Sequence, residues 1–206
     1  GNPLEHLLHG RRFADQLGLR SALGRVADAA ALGDGIEAGD GLEQLALTAA
    51  GDARHAEDLF WIGRYLERAE DTARMLDVTY HGLLESSVDD PTVVWRELVK
   101  VLHLDQPFEE RGIQCAEGPV SEFLVLDDQN LGSICSSIAC ARDNARTVRE
   151  RISTELWEAI NTLHLELQAR DLKGDLQRQP YELYRFVKAR CHMITAVAAD
   201  TMPPAD

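Results

Sequence analysis

Two stretches of this chain repeat apolar residues at alternating steps of three and four. The first holds Leu59, Ile62, Leu66, Ala69, Ala73, Leu76, Tyr80 and Leu83. The second holds Ile134, Ile138, Ala141, Ala145, Val148, Ile152, Leu156, Ala159, Leu163 and Leu167. Such spacing returns to one face of an α-helix and to no face of a strand. It predicts a long helix over 52–84 and a second over 131–169, the latter a rod of roughly 55 Å at about 1.5 Å per residue. Each buries a stripe, so each needs a partner. Phe60, Trp61 and Met75 lie off the first seam, so that helix is apolar on more than one side, as a central helix should be.

The remaining signals are also helical. Asp90-Pro91 starts a helix whose buried face is Val94, Trp95, Leu98, Val101 and Leu102, ending near His103. Residues 105–118, with Pro107, Gly112 and Gly118, read as a loop. Pro119 to Leu126 reads as a short helix. Asn130 is expected to cap the second long helix, and Gly174 to break the pattern after it. A last helix runs from Pro180 through Leu183, Phe186, Val187, Ile194 and Val197 to about Thr201. No segment alternates with period two for long enough to be a strand. The expected fold is all-α, a bundle of long antiparallel helices.

Residues 1–48 differ. Asn2-Pro3 starts a short helix through Leu4, Leu7 and Leu8. Asp28 to Gly41, with four glycines close together, reads as a linker. The division is therefore an N-terminal extension or linker over 1–48 and a helical domain over 49–206. No Met precedes Met75 and the end is Pro-rich, so the chain reads as a piece of something longer.

Composition limits the chemistry. Apolar residues make up 45% and charged residues 27%, as in a globular, soluble chain. Lys and Arg number 21 against 35 Asp and Glu, a net charge of −14. That disfavours nucleic acid and anionic membranes as partners. Four cysteines do not make a disulfide scaffold, so a reducing cytoplasm is the expected compartment. Cys135 and Cys140 point different ways on a helix, and there is no HExxH or CxxC, so no metal is expected. There is no nucleophile elbow and no Walker A loop. Lys100, Lys173 and Lys188 are the only lysines, and none follows a glycine-rich loop. No cofactor and no self-contained ATP site are expected.

The charged residues are more specific. Arg64, Glu67, Asp71 and Arg74 form one stripe on the first long helix, with Arg68 beside it; a solvated face with internal ion pairs is the favoured reading. On the second, Arg142, Arg146, Arg149 and Ser153 flank the seam on one side, Asn144 and Glu155 on the other. Trp157, Asn161 and His164 continue the polar-aromatic theme. Half-buried arginines need anionic partners. A carboxylate from a neighbouring helix, Glu67 or Asp71, is favoured; a ligand carboxylate or phosphate is the alternative.

The run Ala56-Glu57-Asp58-Leu59-Phe60-Trp61-Ile62-Gly63-Arg64-Tyr65-Leu66-Glu67-Arg68-Ala69-Glu70-Asp71-Thr72-Ala73-Arg74 resembles the opening signature of the bacterial alpha-E domain family, with Glu67-Arg68 as its Glu-Arg motif. Ser133-Ile134, Ala141 to Ala145-Arg146, Val148-Arg149-Glu150, Ser153, Glu155, Trp157-Glu158 and Asn161 resemble that family's central helix. With Asp127 to Asn130 and Thr201-Met202-Pro203, the resemblance covers about residues 50–206. Asp143 and Leu131 depart from the Glu and Pro expected there. Members have a second Glu-Arg helix beyond the position where this chain ends, so the bundle is expected to be incomplete at its C-terminal end, to leave apolar surface on 52–84 or 180–201, and to self-associate as a homo-oligomer.

The resemblance implies work beside a circularly permuted ATP-grasp ligase, which forms amide bonds, and a transglutaminase-like protease. The leading expectation is a helical partner module in peptide synthesis or protein modification. The rivals are an enzyme with a carboxylate or acyl-phosphate site built on the arginine cluster with Glu67 and Arg68, and a purely structural bundle. Either way, Glu67 is expected to approach Arg142, Arg146 or Arg149.

Overall fold

The computed structural model describes residues 40–85 and 89–201, with side chains from Arg54 onward. The expected short helix near Asn2 and most of the expected linker lie outside the described residues. Among these residues are eight helices and no strand: α1 (Asp40–Glu85), α2 (Pro91–Val101), α3 (Asp105–Glu110), α4 (Glu117–Val125), α5 (Ile134–Thr147), α6 (Thr154–Ala169), α7 (Leu172–Arg178) and α8 (Pro180–Thr201). The all-α fold follows from the seams.

Four helices close into a ring: α1 packs on α5, α5 on α6, α6 on α8, and α8 back on α1. Cross-helix contacts set their directions. Thr147 at the end of α5 donates to Asp58 near the start of the ring-forming part of α1. Glu70 meets His192, and Asp77 meets Lys188. Ser153 before α6 meets Thr201 at the end of α8. Each neighbour is therefore antiparallel, an up-down-up-down four-helix bundle. The short helices α2, α3, α4 and α7 gather at one end, where Tyr184 of α8 donates to Ser121 of α4 at 3.1 Å.

The core is the seams. Ile62, Leu66, Ala69, Ala73 and Leu76 of α1 are buried with Ile134, Ile138, Ala141 and Ala145 of α5. Ala69, Ala73, Ala141 and Ala145 have no accessible surface, so their helices approach closely. Trp95, Phe108 and Phe123 extend the core under the short helices, the two phenylalanine rings meeting edge to face at 5.2 Å.

Several expected boundaries are corrected. The largest concerns 131–169, which is two helices, α5 and α6, folded back on each other. Ser133 and Ser153, not Asn130, are the N-caps; their hydroxyls accept from the amides of Ser136 and Leu156, each at 3.1 Å. Asn130 instead is buried in the loop before α5, donating to the Phe123 carbonyl and accepting from the Gly132 amide. The next longest helix after α1 is therefore α8.

The other corrections are local. α1 begins at Asp40, inside the expected linker and ahead of the expected helix start at 52, because Leu42, Leu45, Ala46, Ala49 and Ala50 are good helix formers. The expected loop 105–118 holds α3; Pro107 sits in its first turn, where no amide is needed. In α2 Val99 is buried and Val101 is 58% exposed, the reverse of expectation. Gly174 lies inside α7 rather than ending a helix, its amide bound by the Asp171 carboxylate that caps it. After α2 the chain turns through His103 at φ 57°, a left-handed residue, with His103 bonded to the Lys100 carbonyl and Leu104 to that of Val99.

Candidate functional site

The fold-back of α6 on α5 assembles the site. Arg142 Nε donates to Asn161 Oδ1 at 2.9 Å. In a continuous helix those residues would stand about 28 Å apart. The turn that brings them together runs from Val148 to Ser153. Thr147 closes α5 by bonding both the Asn144 carbonyl and Asp58. Ser153 then starts α6.

Trp157, one turn into α6, receives two guanidinium groups. Arg142 Cζ lies 5.9 Å from its ring centroid and Arg149 Cζ 5.7 Å. Each is a cation–π contact worth about 0.5–1 kcal/mol at a partly exposed site. Arg142 has one carboxylate neighbour, Asp143, at 3.4 Å from Nη1. Among the described residues no carboxylate pairs with Arg149 or with the exposed Arg146. A guanidinium carries five donors in a planar fork, and a contact with the indole ring uses none of those of Arg149 as a hydrogen bond to a carboxylate would. His164, two turns beyond Trp157, has its pKa lowered from the usual 6.5, first by burial and then by the charge of Arg142. The histidine is therefore held neutral beside the arginines.

Next to His164 lies a cavity of about 380 Å³, lined also by Cys135, Ser136, Ala139, Leu167 and Arg170. Cys135 is not an activated nucleophile. Burial pushes its thiol up to about 11, so it stays protonated at neutral pH. Among the described residues no three His, Cys, Asp or Glu side chains converge as a metal site requires. The arrangement offers fixed positive charge and an aromatic face, which suits binding an anion.

The structure brings Arg142, Arg149, Trp157 and Asn161 together and places the other candidates elsewhere. Ser153 caps α6. Asn144 donates to the Cys140 carbonyl of its own helix. Glu155 is exposed in the first turn of α6. On α1, Arg64 and Glu67 pair with each other at 3.7 Å, and Arg68 lies over the Tyr65 ring at 5.6 Å. Asp71 is exposed. The expected contact between Glu67 and the α5 arginines is replaced: the acceptor that Arg142 meets is on α6. The cause is the turn at 148–153, which supplies an amide oxygen from the adjacent helix.

Sequence reasoning missed the carboxylates that join helices. Glu70 binds His192 at 2.8 Å, Asp77 binds Lys188 at 2.5 Å, and Glu166 binds Arg190. Glu70 and Asp77 are seven apart on the half-buried flank of α1, a spacing that could have marked them as facing a second helix. The break was signalled too, by Ser153-Thr154-Glu155, a cap followed by an acid in the first turn.

A family model described as a predicted alpha-helical domain with a conserved ER motif matches residues 52–206. That span takes in α1 from residue 52 onward and all of α2 to α8, and Glu67-Arg68 is one of the Glu-Arg pairs within it. The chain belongs to the Alpha-E family. Uncharacterized proteins from Mycobacterium bovis and Mycobacterium tuberculosis are each 32% identical over 125 residues. A second Mycobacterium tuberculosis strain has one at 31%. The matched stretch is 54% of this chain and 14% of each relative, so this chain spans about a seventh of the length of the curated relatives it matches. No solved structure matches the chain. Among the described residues of this Alpha-E domain, no helix is long and apolar enough to cross a membrane.

Proposed function

We propose that this Alpha-E domain is a helical partner module of an ATP-grasp amide ligase, acting in the cytoplasm in peptide synthesis or protein modification. The observation that carries this reading is the 14% coverage of the relatives. There, a stretch of this kind is a small part of a much longer polypeptide, as expected of a unit that serves other catalytic units. The family resemblance supplies the ligase as the partner, with a transglutaminase-like protease as a further one. In this reading the ligase performs the ATP chemistry. Positioning a phosphoryl group for transfer needs a phosphate cradle, a cation and a magnesium ligand set, and the α5–α6 site offers only the cations.

A second reading has one observation in its favour. Arg149 holds its guanidinium on Trp157 without a carboxylate partner among the described residues, as an arginine in a substrate site does. The domain would then hold the carboxylate or acyl-phosphate of a reacting group itself.

Mixing separates the two. The purified chain is titrated with magnesium-ATP in a calorimeter, alone and with a circularly permuted ATP-grasp protein of the same genome. The partner reading expects no heat from the chain alone, co-elution of the two proteins, and ligase turnover that depends on Arg142 or Arg149. Micromolar ATP binding by the chain alone, or no association with the ligase, would overturn it.

A further inference from the structure

We propose that the cavity between α4 and the first turn of α7 binds a free α-amino acid with an apolar side chain. That this amino acid is a substrate of the ligase rests on the partner-module reading; the binding itself does not.

The cavity measures about 350 Å³, within the range of roughly 300–1,000 Å³ found for small-molecule sites. Its apolar wall is Ile113 from the loop before α4, Pro119 and Phe123 of α4, and Leu126 just beyond that helix. The wall is held in place from behind. The Phe123 ring meets Phe108 edge to face, and Arg111 Cζ lies over it at 5.5 Å. Arg111 is in turn ion-paired to Asp127, and Asn130 donates to the Phe123 carbonyl.

Three charged side chains line the same cavity without partners: Glu122 from α4, Asp128 from the loop after it, and Lys173 from the first turn of α7. None is ion-paired or hydrogen-bonded through its side chain, to one another or to any other described residue. Asp127 is the contrast, since it lines the cavity as well and is taken by Arg111. α4 and α7 pack against each other, so an ammonium on one and a carboxylate on the other share one space without closing on each other.

That charge layout selects the occupant. A ligand with a carboxylate alone would meet Lys173 but also Glu122 and Asp128, in a chain that carries −14 overall. A ligand with an ammonium alone would meet the two carboxylates but also Lys173, and like charges brought together in a site disfavour binding. A zwitterion matches both signs, its ammonium toward Glu122 and Asp128 and its carboxylate toward Lys173. An α-amino acid carries the two charges on one carbon, which leaves its side chain for the wall of Ile113, Pro119, Phe123 and Leu126. A site that pairs both charges rejects an analogue lacking one, because a group of the site is then left unpaired.

The test is isothermal calorimetry with L-leucine on the intact chain at neutral pH, beside two analogues of similar shape. Leucinamide keeps the ammonium and lacks the carboxylate; isocaproate keeps the carboxylate and lacks the ammonium. L-Leucine should give saturable binding, and each analogue should bind at least tenfold more weakly. Variants then assign the charges. Lys173→Met should weaken L-leucine at least tenfold and leave leucinamide no weaker. Glu122→Gln combined with Asp128→Asn should weaken L-leucine at least tenfold and leave isocaproate no weaker. None of the three side chains carries a described bond, so the helices should persist by circular dichroism, and the comparison of the three ligands on the unaltered chain needs no variant. Absence of saturable L-leucine binding overturns the proposal. So does an analogue that binds as tightly as L-leucine: leucinamide would make this an amine site, isocaproate a carboxylate site. Unchanged L-leucine affinity in both variants overturns it by placing the amino acid elsewhere. Because no ligase is present, failure here leaves the association experiment standing, and failure there leaves this one standing.

Discussion

Arg142 and Asn161 meet at 2.9 Å although nineteen positions separate them in sequence. The bond ties α5 to α6 across the hairpin and aims the guanidinium at Trp157. Its acceptor is a neutral amide, so the carboxylate beside Arg142 is that of Asp143, next to it in sequence, rather than one from another helix.

Asn161→Ala should therefore act at two levels. Loss of a hydrogen bond to a charged donor costs about 1.5–3 kcal/mol, and the partial exposure of this one puts it at the low end. Chemical denaturation should show a lower midpoint with an unchanged slope. Tryptophan emission should change as well, because Arg142 loses its anchor beside Trp157. A variant with wild-type midpoint and emission would show that the hairpin is held elsewhere.

Ser153 has two tasks in one side chain. It accepts from the Leu156 amide and donates to Thr201 at 2.8 Å, so it starts α6 and joins it to the end of α8. Ser153→Ala is expected to cost about 1 kcal/mol for the cap. Thr201→Val leaves the cap in place, removes the contact with Ser153 together with the Thr201 bond to the Val197 carbonyl, and should cost less. Equal losses from both would mean that the cap contributes little.

His103 occupies a left-handed position that favours glycine. A side chain there costs about 1 kcal/mol relative to glycine. It is exposed and has no described side-chain partner to lose. His103→Gly should raise the melting temperature, whereas His103→Val, β-branched at positive φ, should lower it. A fall in melting temperature with glycine would refute the assignment.

His164 makes stability depend on pH. Its folded pKa lies below the usual 6.5, through burial and the charge of Arg142, opposed by Asp143. Below 6.5 the unfolded chain binds this proton while the folded chain resists it. That contribution to stability is present above pH 6.5 and is lost as pH falls toward the folded pKa. His164→Gln should flatten the profile of stability against pH in that window. NMR titration of the imidazole should give a pKa below 6.5, and Arg142→Gln should move it up. A histidine titrating at or above 6.5 would contradict the geometry.

Much of the bundle was legible in the seams. Leu66, Ala69, Ala73 and Leu76, or Leu183 and Val187, could be placed in the core from spacing, because a helix repeats its buried side every three or four residues. The ends of α8 were legible in Pro180 and in the prolines beyond Thr201. The α5–α6 hairpin was not. Val148 and Ile152 sit in or beside the turn and are still buried, so the apolar rhythm passes through it without a gap. Periodicity reports which side of the chain faces the core; it does not report whether the backbone ladder is continuous.

The chain's own pattern thus determined that it would be helical, which stripes would be buried, and that its arginines would lie at the edge of a core. Those properties come from residues close in sequence, whose relative directions a helix sets by itself. Tertiary structure alone decided that Arg142 would meet Asn161 rather than Glu67, that Arg149 would share Trp157, and that Glu70 and Asp77 would reach α8. Each depends on the turn at 148–153 and on the register between helices. Register is settled by the packing of the whole core at once, so no local stretch of sequence encodes it.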